Sequence, residues 1–88
     1  MISEEELTLI KQRADKATKG PWKAFVEGRD MQSASSFIKT QGEDIELIGA
    51  SEADYDFIAN ARQDIPRLIE EIERLKDRLG DSTKSSIR

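Results

Sequence analysis

Ile58, Ala61, Ile65, Leu68, Ile72, Leu75 and Leu79 alternate steps of three and four residues, an a/d seam that commits the last part of the chain to helix. Pro66 sits inside that seam. It lacks an amide donor, and its ring clashes with the carbonyl four residues back. Either the helix kinks there or it ends near Gln63, and the favoured outcome is the break, giving two helices. The first is started by Ser51 with Asp54 and runs to about Arg62; the second is N-capped by Asp64, with proline in its first turn. Beyond Ile65 the seam carries more apolar surface than a small sheet can cover. Leu68, Ile72, Leu75 and Leu79 are accordingly expected to form an oligomer interface, most simply in a two-fold dimer.

The other end of the chain is punctuated as clearly. Ser3 and Glu6 form a capping box, with Ile2 and Leu7 as the flanking hydrophobic staple. Leu7, Ile10, Ala14 and Ala17 then give one apolar stripe. In "ATKGPW" (Ala17 to Trp22), Gly20 is expected to supply a left-handed cap and Pro21 forbids continuation. Trp22 is the first residue free to go elsewhere.

Between the helices the pattern changes to strand and turn. "WKAFVE", "SASSFIKT" and "DIELIG" are separated by "GRD" and "QGE", each with a glycine able to take positive φ. The reading is a three-stranded antiparallel meander. The fold class expected is α+β: an N-terminal helix, the meander and two C-terminal helices on one side of it, in a single domain over 1–80 with a disordered tail over 81–88.

Composition removes more functions than it suggests. The chain has 88 residues, no cysteine and no histidine. Thiol nucleophiles, thiolate or imidazole metal ligands and the usual neutral-pH proton shuttle are absent with them. A chain this short buries only about 60–65% of its unfolded surface, which leaves little room for a deep catalytic cavity. "SEEE", "EDIE", "EADYD" and "EEIE" fall in helix first turns or at alternating exposed positions rather than converging on a cation. No catalytic residue, metal ligand or cofactor is expected. The acidic start and the lack of a long apolar run point to a cytoplasmic protein without a membrane span.

The net charge is -4, but Lys11 to Lys39 holds seven bases against three acids. That local surplus suits a small anion, while no continuous basic row points to nucleic acid. If strand one alternates regularly, Trp22, Ala24 and Val26 face the helices together with Ile45 and Leu47. The other face then carries Lys23, Phe25, Ser33, Ser35, Phe37 and Lys39. Rings to stack a base, ammonium groups for phosphate and hydroxyls for a ribose make this the candidate ligand face. Arg29 is a further candidate for phosphate. Asn60 and Arg62, late in the helix that follows, are candidates for a shared anion pocket. Trp22 reads either as core or as a stacking platform, and an indole can serve as both.

"RADKATKGPW" (Arg13 to Trp22) and "EADYDFIANARQDIPRLIEEIERLK" (Glu52 to Lys76) together resemble a broad family of small accessory proteins of tailed phages and prophages, which share an AT-x-GPW element and a closing ADA-x-FI-A-AR-x-DIP-LL-EIERLR element. The chain departs from that pattern at Lys19, Tyr55 and Asp56, and its middle strands carry no resemblance. The resemblance implies a phage-borne protein acting in the cytoplasm of an infected bacterium, a setting in which small phage proteins often counter host immunity. A non-enzymatic sponge that sequesters a nucleotide-type immune signal fits a chain with no catalytic residues. The alternative is an antagonist or adaptor that grips a host defence protein with the Leu68 to Leu79 stripe.

Overall fold

The computed structural model describes the backbone of residues 2–87 and the side chains of residues 2–79. The elements are α1 (Glu4–Lys16), β1 (Lys23–Phe25), β2 (Phe37–Lys39) and α2 (Glu52–Ile87). The expected end of the domain at Gly80 and the tail over 81–88 fall on residues outside those described in full.

Both helix starts follow their capping residues. The Glu6 amide donates to Ser3 Oγ at 3.1 Å. At α2 the box is reciprocal: the Asp54 amide donates to Ser51 Oγ at 3.1 Å and the Ser51 amide to Asp54 Oδ2 at 3.0 Å. The end of α1 differs from expectation. The helix stops at Lys16, Ala17 caps it in extended conformation, and Gly20 does not adopt positive φ. Gly20 instead precedes a cis peptide bond to Pro21 and lies flat against α2. A Cβ on it would come within 3.2 Å of Gln63 Oε1 and 3.3 Å of Arg62 Cγ. The glycine serves close approach to α2 rather than a left-handed cap.

The expected meander is replaced by a two-stranded antiparallel sheet, with Lys23 opposite Lys39, Ala24 opposite Ile38 and Phe25 opposite Phe37. Of the third strand only one bridge forms. Ile38 and Ile45 exchange both amide–carbonyl bonds, at 2.8 and 2.9 Å. The next rung would join Ser36 to Leu47. The Tyr55 hydroxyl of α2 occupies it: the Leu47 amide donates to the phenolic oxygen at 3.0 Å, and the phenolic proton is shared between the Ser36 and Leu47 carbonyls, each 3.1 Å away. A side chain thus satisfies backbone groups that a strand would have satisfied.

Of the two turns expected to use a positive-φ glycine, one does. Gly28 takes φ 84° in the 26–31 turn. Gly42 does not; there the Thr40 hydroxyl accepts the Gly42 amide at 2.9 Å and donates to the Glu43 carbonyl at 2.8 Å.

The two C-terminal helices expected around Pro66 are one continuous helix. Proline inside a helix costs about 3 kcal/mol. Packing around it offsets that cost: α1 lies along α2, Ile10 and Ala14 line the same groove as Pro66, and Ile69 in the next turn is buried. Exposed ion pairs, Lys11 to Glu73 at 3.5 Å and Lys76 to Glu4 at 3.9 Å, fix α1 antiparallel to α2. The seam's unbroken period therefore prevails over the local breaker. α1 packs on α2 and not on the sheet. The core between α2 and the sheet is Ala24, Val26, Ile38, Tyr55 and Ala59, with Ile38 fully buried.

Candidate functional site

The outer face of the sheet follows from the register. Lys23 and Lys39 stand directly opposite, and so do Phe25 and Phe37, on the face away from α2. The two rings stack with centroids 5.2 Å apart and planes 15° from parallel. Lys23 Nζ lies 5.3 Å from the Phe25 centroid, within cation–π range. Both lysines are exposed and both phenylalanines half-buried. No carboxylate is ion-paired with either lysine among the described residues. Ser33 and Ser35 lie ahead of β2 and are exposed, while Ser36 Oγ is taken up by the Glu27 amide at 3.0 Å.

Arg29 belongs to a different constellation. Its guanidinium lies among three carboxylates: Nη1 at 2.9 Å from Glu52 and 2.7 Å from Asp56, Nη2 at 3.0 Å from Asp56 and 2.8 Å from Asp30, and Nε at 3.0 Å from Asp30. These contacts use the whole donor fork, so Arg29 has no N–H left for a phosphate. Hydrogen bonds to Asp56 first, then to Asp30 and Glu52, raise its pKa further. The same bonds hold the Asp30 and Asp56 carboxyls below their ordinary value, Asp30 being helped by the Val26 amide. The cluster ties the 26–31 turn to the first turns of α2. In the sequence Arg29 reads as a loose base because two of its three carboxylate partners are 23 and 27 residues away.

Trp22 proves to be both core and surface. It packs against the buried cluster, and its indole N–H donates to the Thr18 carbonyl at 2.9 Å. The Arg62 Nε–H donates to the same carbonyl at 2.9 Å. Gln63 completes the clamp: its Oε1 accepts the Trp22 amide at 2.7 Å and its Nε2 donates to the Trp22 carbonyl at 3.2 Å. Beside Trp22 a groove of about 330 Å³ opens between α1 and α2, walled by Ile10, Ala14, Phe57 and Ile65, with Arg13 and Arg62 also lining it. Arg62 is thus brought to Trp22, as a shared pocket would need, but Asn60 is not among the groove's lining residues. Its amide donates to the Asp56 carbonyl one turn back, at 2.8 Å.

Arg13, Phe57 and Gln63 were missed in the sequence. For the first two a signal existed. Arg13 precedes Ala14 on the α1 stripe, and Phe57 stands four residues before Ala61. A glutamine in mid-helix carries no such signal. Of the interface candidates on α2, Leu68, Leu75 and Leu79 are exposed and Ile72 is half-buried.

Among the described residues, no helix is long and apolar enough to cross a membrane, and no three acidic side chains are gathered as a metal ion would require. No known protein family, curated protein or solved structure matches this chain, so the case for its function rests on the geometry of these surfaces.

Proposed function

We propose that this chain is a non-enzymatic binding protein whose outer sheet face holds a small nucleotide-type anion. The observation that carries the reading is the juxtaposition of Lys23 with Lys39 beside the stacked Phe25 and Phe37. Like charges directly opposite on an antiparallel pair destabilise it. An anionic group between the two ammonium ions turns that repulsion into attraction, and the adjacent rings offer a planar base a surface worth about 1–3 kcal/mol per stacked base. No histidine, cysteine or ion-paired carboxylate stands among the described residues of this face to activate a nucleophile, which supports a ligand held and released unchanged. With the resemblance to phage accessory proteins, the reading becomes a sponge that lowers the free concentration of a nucleotide immune signal in the cytoplasm of an infected bacterium.

Native mass spectrometry on protein recovered from bacteria with active nucleotide-signalling defences tests this. The expected result is a retained mass of nucleotide size, released unchanged on denaturation and absent from Phe25→Ala and Lys39→Ala proteins that stay folded. Equal retention by the parent and both variants removes the sheet face as the site. Parent protein that is empty, and that gives no heat with cyclic or linear di- and trinucleotides in calorimetry, removes the sponge.

A further inference from the structure

α2 carries an apolar stripe that its own chain leaves open. By helical period Phe57, Ile65, Leu68 and Leu75 share one side, next to the side on which Ile69 is buried. They are 75%, 40%, 61% and 45% exposed. The stripe runs for about 27 Å along the helix. Its first part, at Phe57 and Ile65, is the wall of the groove beside Trp22. Large continuous apolar surface of this kind marks an interaction site on a soluble chain.

The charges beside the stripe decide what fits it. Asp64, Glu71 and Arg78 follow one flank at intervals of seven. Asp64 and Arg78 take part in no ion pair among the described residues, and Glu71 is already paired with Arg74 of its own helix. The opposite flank is occupied inside the chain: Arg62 donates to Thr18, Ile69 is buried and Lys76 pairs with Glu4. A parallel helix pair would set the open flank of one copy against this occupied flank of the other. An antiparallel pair sets the two open flanks together: Asp64 then meets the opposite charge of Arg78 twice by symmetry, while Glu71 faces its own symmetry mate with its charge offset by Arg74 of the same helix.

We propose that the stripe is covered by α2 of a second copy of this chain, antiparallel and related by a two-fold axis near residue 70. Leu68 then packs on Ile72 of the second copy and Ile65 on its Leu75, whose side chain enters the groove of about 330 Å³ beside Trp22. Self-association through α2 does not depend on what the sheet face binds.

Sedimentation equilibrium on the full chain is expected to give twice the monomer mass of 10.0 kDa. Arg78→Asp weakens the dimer roughly two- to thirtyfold through its two exposed pairs, and adding Asp64→Arg to the same chain restores it. The absence of native cysteine allows a separate test of orientation. Ile65→Cys and Leu75→Cys proteins, mixed and oxidised, are expected to form a covalent heterodimer, while neither links to itself. In the antiparallel pair identical 65 positions lie at least about 15 Å apart, beyond disulfide reach. A chain that stays monomeric to millimolar concentration overturns the proposal. So does self-linking of Ile65→Cys, or a charge swap that fails to restore what the single reversal lost.

Discussion

The two faces of the β1–β2 pair share one backbone and have opposite fates. On the inner face Ala24, Val26 and Ile38 are sealed beneath α2 by Tyr55 and Ala59. On the outer face Phe25 stacks on Phe37 beside two lysines that stand opposite each other, neither of them ion-paired among the described residues. Folding explains the inner face completely: each side chain there removes apolar surface from water. It does not explain the outer one, where a single acid in place of Lys23 or Lys39 would relieve the repulsion. A surface that carries a cost to the isolated chain is where a ligand is to be sought.

The largest effect is expected from Ile38→Ala, which empties the fully buried centre of the inner face. It should lower the stability seen in urea unfolding by about 2–5 kcal/mol, a large share of what holds a domain of this size together. Tyr55→Phe comes next. It keeps the ring but orphans the Leu47 amide and the rung it closes, for about 1–3 kcal/mol, and hydrogen exchange at Leu47 should accelerate. An unchanged Leu47 amide would mean that the third strand pairs without the hydroxyl.

Phe25→Ala on the outer face should cost less, about 0.5–1.5 kcal/mol for the lost aromatic pair, while nucleotide retention disappears. If it destabilises as much as Ile38→Ala, the outer face is core and the contrast between the faces fails. The smallest effect concerns the Arg29 cluster. Asp30 and Asp56 titrate below the ordinary 3.8 when folded, so their contribution is present above that value and is lost as pH falls through the lowered folded values. Amide protection in the 26–31 turn should fall only below about pH 4, and Arg29→Gln should remove most of that pH dependence, the Val26 amide bond to Asp30 remaining.

How much of this was legible before the fold was known varies by element. The caps at Ser3 and Ser51 were legible because donor and acceptor are three residues apart. The alternation that sends Ala24 inward and Phe25 outward was legible because it needs only the period of a strand. The third strand was misjudged because "DIELIG" has strand chemistry, yet the group that ends its pairing is a phenol eight residues beyond Leu47 on a helix. Pro66 was misjudged because the breaker is local, whereas the packing that overrides it comes from α1, where Ala14, 52 positions earlier in the chain, lines the groove beside it. Arg29 was assigned to a ligand for the same reason.

The sequence by itself determined where helices begin, which strand residues share a face and which chemistries are missing, since each of these follows from short spacing or from composition. Tertiary structure decided how many strands pair, whether α2 breaks, and that Arg29 is consumed while Arg62 reaches Trp22. Those outcomes depend on which partner, hydrogen-bonding or apolar, the fold holds against a given backbone group, side chain or charge. Only the packing of α2 across α1 and the sheet brings those partners within reach.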